Sequence, residues 1–275
     1  MSRESRDAFR DLMATTPERL DLACLLIAAE ALPTEGNVDA YLARGLADLD
    51  RLAEQVPDAG EPHERLQAAL GDFHGRPEDY DALASSLLPE VVRRRRGLPI
   101  LLSTVWTETA RRVGIAAYGV GLPGHFVAAL GDPLTFDPVL PDGSRLLVDP
   151  WSGGRLLPFD AARDIVERTG RPFRRDHLAP ASPVSIVERI LANIRAWADH
   201  PLRAPTRLWA IDLALALPDP PPWLLRDRGI ALRDMGHAHL AARWLEEYAD
   251  VVDDDAPSEA ETARDQARAV RALLN

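Results

Sequence analysis

Lysine is absent from this 275-residue sequence, so all 32 basic residues are arginine. That excludes a Schiff-base nucleophile, a pyridoxal-phosphate anchor and the lysine of a phosphate-binding loop. Cysteine occurs once, at Cys24. One cysteine excludes an intramolecular disulfide and a multi-cysteine zinc site, and any thiol chemistry would have to use Cys24. Positive charge is in deficit, 32 basic against 43 acidic residues and a formal net charge of −11. This argues against sequence-independent nucleic-acid binding, which needs a positive surface. Long apolar runs are missing too. Ala23 to Ala29 falls far short of the roughly 18 residues of a membrane span, and Met1 to Asp7 is polar with no leader-like apolar run. A cytoplasmic protein that binds neither membrane nor nucleic acid is expected. Metal-ligand spacing is lacking as well: His237 and His239, two apart on a helix, face different directions, and Asp253 to Asp255 has no glycine-anchored calcium loop. No metal or cofactor is expected.

What is present is ordinary globular material, 46% hydrophobic and 27% charged, enough for one large or two modest domains. Three zones follow one another. Residues 1 to about 114 read as helices. Thr16-Pro17 looks like the start of one, Thr as N-cap and Pro at the first helical position, ahead of the apolar run Leu20 to Leu32 that Pro33 stops. Asn37 or Asp39 opens the next, which ends before Pro57. Tyr80 to Arg96 reads as a single helix whose arginines suit the negative end and whose Gly97 suits a C-cap. Arg93 to Arg96 read as a solvated helix end, an anionic partner being the alternative. Another helix runs from about Pro99 to Val113 and stops at Gly114.

Residues 115 to 158 change character. Ala116 to Leu122, Phe126 to Leu130 and Arg145 to Val148 are short apolar stretches, the last following the turn signal Pro141-Asp142-Gly143-Ser144, and they predict a small antiparallel sheet. From 159 to 275 the pattern is helical again. Setting Leu224 against Ile190 reveals a weak 34-residue repeat, and Leu224 to Val252 reads as a helical hairpin bent at Gly236. Thirty-four residues is the tetratricopeptide period. A plain helical extension is the simpler alternative.

Chemistry concentrates between Gly97 and Gly154. His125 follows Pro123-Gly124 and begins an apolar strand, while Asp149 ends another just before Pro150. Adjacent antiparallel strands would set the two side by side, where a carboxylate on one ring nitrogen fixes the tautomer and leaves the other nitrogen as a base. A histidine that merely holds a strand-end hydrogen bond is the plainer reading. Asp137, in Phe136-Asp137-Pro138, is a rival for the acidic partner. The place to look for a nucleophile is a helix start, where the dipole lowers its pKa. The helix that opens near Pro99 offers one.

Taken together, Arg-Arg-Gly-Leu-Pro-Ile at 95–100, Gly-Val-Gly-Leu-Pro-Gly-His-Phe at 119–126, Val-Asp-Pro-Trp-Ser-Gly-Gly-Arg-Leu-Leu at 148–157 and Arg-Asp-Arg-Gly at 226–229 resemble the SirB family. Members of that family join a transglutaminase-like, papain-like core to C-terminal tetratricopeptide-like repeats. The resemblance implies an α+β fold: helices with a small antiparallel sheet, and an α-helical repeat extension. Residues 1–60 would be helices packed on the core, 61–180 the core and 181–275 the repeat module. It also implies that His125 and Asp149 take the places of a catalytic histidine and aspartate. Thiol enzymes of the wider superfamily carry Gly-x-Cys at the helix start, about fifteen residues before the Gly-Ile that ends the helix. Here Gly97-Leu98-Pro99 stands at that distance from Gly114, and proline has no nucleophilic atom.

Ser103 lies one helical turn beyond Pro99 on the same face. It is the remaining candidate nucleophile, although a helix serine usually satisfies a backbone carbonyl. Cys24, in the middle of an apolar helix, reads as an inert core thiol. The expected site is therefore His125 and Asp149, with Ser103 as a third catalytic candidate and Pro99, Trp151 and Gly124 as binding positions. The expected function is a noncatalytic protein that binds a peptide or protein partner through the cleft or the helical module. The alternative is an enzyme of altered chemistry, in which His125 and Asp149 act as a general base pair for amide hydrolysis or acyl transfer.

Overall fold

The computed structural model describes residues 3–32, 37–135 and 145–272. The expected helix stop at Pro33, the turn at Pro141 to Ser144 and the rival carboxylate Asp137 lie outside the described residues. The chain divides into two units. One comprises residues 1–5 and 16–190, the other residues 6–15 and 191–275.

In the first unit, α2 (Leu20–Ala31) is buried along almost its whole surface, as its apolar run requires, and carries Cys24 inside. Its expected Thr16-Pro17 start is not used. The helix begins later, after Arg19, because Thr16 closes a turn instead: the Arg19 N–H donates to the Thr16 carbonyl at 3.1 Å. Asn37 caps α3 (Val38–Ala53) by accepting from the Ala40 N–H at 2.9 Å. Next comes α4 (Pro62–Leu70).

The single helix expected over Tyr80 to Arg96 is broken into three pieces. Short 3-10 turns occupy Pro77–Asp81 and Leu83–Ser86, and only α5 (Leu88–Arg94) is α-helical. Two causes act together. Leu87 is extended ahead of Pro89, which sits in the first turn of α5. In addition, buried Asp79 draws the chain around itself. It accepts from the Arg76 N–H at 2.8 Å and the Ser85 hydroxyl at 3.0 Å, and from Arg94 and Arg96, each at 3.2 Å. The cap of α5 is Arg95 in the left-handed region (φ 52°), not Gly97. Periodicity alone cannot register a buried carboxylate that recruits its ligands from fifteen residues away.

The helix expected from Pro99 is present as α6 (Pro99–Arg112), with proline in its first turn. It is almost entirely buried. Its C-terminal end is tied down by charge: Arg112 donates to Asp21 of α2, Asp50 of α3 and Glu108, all at 2.8 Å. Asp21 is 0% and Glu108 4% exposed, and buried carboxylates persist only when paired in this way. Burial works to raise the Asp21 carboxyl, but the bonds from Arg19, Arg112 and the Leu22 N–H outweigh it and hold it below the usual range.

The sheet is antiparallel in the order β1 (Ala117–Val120), β2 (Val127–Leu130), β3 (Leu146–Asp149), β4 (Arg155–Leu156). The first three correspond to the predicted strands, and β4 adds a two-residue edge. Helix α6 packs against β1 and β2. The other face, with Tyr118, Val120, Val127, Ala129 and Leu147, closes on Ala162 and Val166 of α7 (Phe159–Glu167). Burial on both faces explains why β2 reads as a continuous apolar run without alternation.

Helix α8 (Pro183–Trp197) contributes residues up to Ile190 to this unit. The second unit takes Arg6–Thr15 of α1 (Arg3–Thr15) and everything from Leu191 on. There α9 (Ala204–Ala214), α10 (Trp223–Asp234), α11 (Ala238–Val252) and α12 (Pro257–Ala272) pack in succession. The hairpin foreseen over Leu224 to Val252 is α10 and α11, turning at Gly236 (φ 79°). Leu232, Ala241, Ala242 and Leu245 share one core cluster with α12.

Candidate functional site

The site lies in the first unit, at the end of the sheet where β1 hands over to β2 and β3 ends. The chain leaves β1 through Leu122-Pro123-Gly124-His125. The His125 N–H donates to the Leu122 carbonyl at 3.1 Å and Gly124 has φ +80°. Proline second and a left-handed glycine third are the marks of a type II turn. Glycine is required here twice over, since a Cβ would also come within 2.7 Å of Thr169 Cγ2. The turn delivers His125 to the start of β2 while Asp149 ends β3.

His125 Nε2 and Asp149 Oδ1 are 2.9 Å apart. Asp149 also accepts from the Ser152 hydroxyl at 2.7 Å and the Trp151 N–H at 3.1 Å. Burial works to raise its carboxyl, but the bonds from His125, Ser152 and the Trp151 backbone outweigh it and hold it below the usual carboxylate range. An ionised carboxylate only accepts, so Nε2 carries the hydrogen of this bond. That bond leaves Nδ1 as the other ring nitrogen, and Nδ1 has no hydrogen-bond partner among the described residues.

The loop that holds Asp149 is braced from outside. His63 of α4 bonds the Gly154 carbonyl at 2.8 Å and Gln67 donates to the Gly153 carbonyl at 3.3 Å. Trp151 lies flat on Gly75, where a Cβ would be 1.8 Å from its ring, and the Gly75 N–H donates to its carbonyl at 3.0 Å. Tyr80 tilts against Trp151 with ring centroids 5.7 Å apart.

Pro99 is buried in the first turn of α6, and the N-cap, Leu98, supplies no side-chain hydrogen bond. Ser103 is completely buried, and its hydroxyl donates to the Phe126 carbonyl at 3.4 Å. The opening turns of α6 thus lie against the residue after His125, while the serine hydroxyl is directed to backbone and not to the imidazole. Cys24 is 2% exposed, and burial pushes its thiol far up, away from the thiolate.

Two residues of this neighbourhood were missed in the sequence. Arg189 of α8 donates to the His125 carbonyl at 2.9 Å and to the Leu122 carbonyl at 3.3 and 3.4 Å, with its guanidinium 5.3 Å from the Phe126 ring centre. Tyr80 is the other. It joins through Trp151, and burial raises its phenol while the Arg189 charge works the opposite way. Their separations of 64 and 45 residues from His125 leave no local pattern to detect. The arginine run, by contrast, is spoken for. Arg93 pairs with Glu90, Arg94 and Arg96 with Asp79, and Arg95 with Asp72. Among the described residues no group of three His, Cys, Asp or Glu is placed to hold a metal ion, and no helix is long and apolar enough to cross a membrane.

A formed His–Asp pair beside the start of a buried helix is the arrangement anticipated from the motifs, and residues 42–192, more than half of the chain, match the family model described as transglutaminase-like superfamily. The chain belongs to the transglutaminase-like superfamily. It is also 34% identical over 216 residues to a UPF0162 protein of Pseudomonas aeruginosa, covering 73% of this chain and 74% of that one. A UPF0162 protein of Xylella fastidiosa is 35% identical over 187 residues, 64% of this chain and 62% of the relative. One from Haemophilus influenzae is 25% identical over 227 residues. The match therefore spans somewhat less than two thirds of the Xylella protein's length.

Proposed function

We propose that this chain is a noncatalytic peptide-binding protein of the SirB type, acting in the cytoplasm. Its transglutaminase-like core, residues 61–180, would offer the cleft, and its C-terminal helices would serve as a tetratricopeptide-like surface for a protein partner. The observation that carries this reading is Pro99 in the first turn of α6. A helix start beside a His–Asp pair is where a nucleophile gains most from the dipole, and proline supplies neither a nucleophilic atom nor an N–H. The nearby hydroxyl is buried and bonded to a carbonyl, and the lone thiol is buried in α2. His125, Gly124 and Trp151 remain as groups for orienting a bound peptide.

A second reading has its own support. With Nε2 committed to Asp149, Nδ1 of His125 is oriented as a general base, which could activate water for amide hydrolysis or a substrate nucleophile for acyl transfer. One experiment separates the two. The protein and its His125→Ala variant are incubated with a mixture of peptide amides and a primary amine at neutral pH, and products are read by mass spectrometry. The His125 ring resonances are followed in parallel. Ring shifts without turnover support the binding protein. His125-dependent product, or an acyl adduct on Ser103, overturns it in favour of the enzyme.

A further inference from the structure

Arg189 sits in an unusual electrostatic position. The chain pairs most of its half-buried arginines with carboxylates: Arg94 and Arg96 with Asp79, Arg112 with Asp21 and Glu108, Arg207 with Asp234. Arg189 is half-buried as well, yet no carboxylate lies within ion-pair distance of it among the described residues. All three of its hydrogen bonds go to backbone carbonyls, those of Leu122 and His125. A guanidinium has five N–H groups. These bonds, made by Nη1 and Nη2, leave Nε–H and one hydrogen of Nη1 without a partner among the described residues.

Bonding two carbonyls does not require a positive charge. A neutral amide such as glutamine donates to carbonyls too, without the cost of desolvating an ion. Burial pulls the Arg189 guanidinium below its ordinary value, and Tyr80 offsets this only in part. A charge kept where it is costly, and not neutralised by the protein, calls for an anion from outside.

The surroundings say where that anion would lie. Contacts run in series: Tyr80 with Trp151, the Trp151 backbone with Asp149, Asp149 with His125, and the His125 carbonyl with Arg189. Tyr80 is 53% exposed although aromatic, so the far end of this series is open to solvent and partly apolar. A basic imidazole nitrogen, an unneutralised guanidinium and two aromatic faces on one patch suit a peptide that ends in, or carries, a carboxylate.

We propose that Arg189 is the carboxylate subsite of the site at His125, so that the ligand is a peptide bearing a free carboxylate, with Tyr80 and Trp151 flanking its chain. This rests on the peptide-binding reading of the same site. The test uses the full chain, labelled with 15N, and two probes, N-acetyl-alanyl-alanine as the free acid and as its C-terminal amide. The Arg189 Nε–H and the His125 ring nitrogens are followed during titration. The acid is expected to shift both and to bind at least about tenfold more tightly than the amide, the difference of one charge-assisted contact. In Arg189→Gln the preference for the acid disappears while weak binding of the amide persists. Arg189→Lys restores part of the preference.

Comparing acid with amide on the native chain needs no variant and stays informative if a variant fails to fold. Equal binding of acid and amide, a preference that survives in Arg189→Gln, or no binding of the acid at about 10 mM overturns the assignment. Inorganic phosphate binding as tightly as the peptide acid also overturns it, since the site would then take bare anions. If His125 responds to neither peptide, the peptide-binding reading itself fails. If it responds to both alike, only the carboxylate subsite fails.

Discussion

Replacing Asp149 by alanine withdraws an acceptor from three donors at once: His125 Nε2–H at 2.9 Å, the Trp151 N–H at 3.1 Å and the Ser152 hydroxyl at 2.7 Å. Ser152 is exposed and recovers water. The Trp151 N–H and the imidazole are partly shielded, and each such orphaned donor costs about 1–3 kcal/mol. A loss of about 2–4 kcal/mol in unfolding free energy is expected for Asp149→Ala. Asp149→Asn keeps the shape and one oxygen acceptor, so about 1–2 kcal/mol is expected. The assay is urea unfolding at pH 7, with an unchanged denaturant slope as the sign that the folded and unfolded surfaces are comparable.

Acidity adds a second readout. The Asp149 carboxyl is held below its usual range in the folded chain, so its stabilising effect is full above the ordinary carboxylate value and is lost as pH falls through the depressed one. The stability gap between the native chain and Asp149→Asn should therefore narrow in acid. Nitrogen NMR supplies a third: the native imidazole should show the Nε2–H tautomer, and Asp149→Ala a mixture of both. A loss below about 1 kcal/mol together with an unchanged tautomer would refute the view that Asp149 orients His125.

Three further outcomes are expected. Cys24, buried among the apolar residues of α2 with its thiol pushed up, should be inert to a thiol reagent in the folded chain and titrate as one equivalent in urea; prompt reaction at pH 7.5–8, about the range where a free thiol begins to ionise, would contradict the packing. Gly124→Ala should cost about 1–3 kcal/mol, since φ is +80° and the new Cβ would meet Thr169 Cγ2 at 2.7 Å. Thermal unfolding measures it, and the His125 resonances should broaden or move with the turn. Asp79→Ala should cost about 2–4 kcal/mol, less than a fully buried pair because Arg94 and Arg96 are 23% and 28% exposed; a neutral result in denaturant unfolding would show that the 77–86 turns do not depend on this carboxylate.

Local patterns carried the coarse architecture. The helix opening at Pro99 and closing before Gly114, the three short apolar strands and the hairpin bent at Gly236 are all present where periodicity and turn residues put them. These are properties of neighbouring residues, governed by proline's missing N–H, glycine's positive φ and the burial of short apolar runs. Failures of local reading share one cause as well. Tyr80 to Arg96 has helical composition, yet Asp79 gathers Arg76, Ser85, Arg94 and Arg96 around a buried charge, and satisfying that charge outweighs a few residues' helix propensity.

The site divides along the same line. Sequence alone determined its chemical inventory: one thiol, no lysine, a proline at the helix start, and a histidine and an aspartate at strand ends. Those facts are composition and order, which folding cannot alter. Only tertiary structure decided that Asp149 meets Nε2 and not Nδ1, that Ser103 turns to a backbone carbonyl, and that Arg189 and Tyr80 join the neighbourhood. Each of these depends on which atoms approach within about 3 Å or on how much water a fold excludes, and neither is encoded in any window of adjacent residues. Proline at the helix start was legible in the order of residues, while the guanidinium bonded only to backbone carbonyls came to light only when α8 was laid beside the histidine turn.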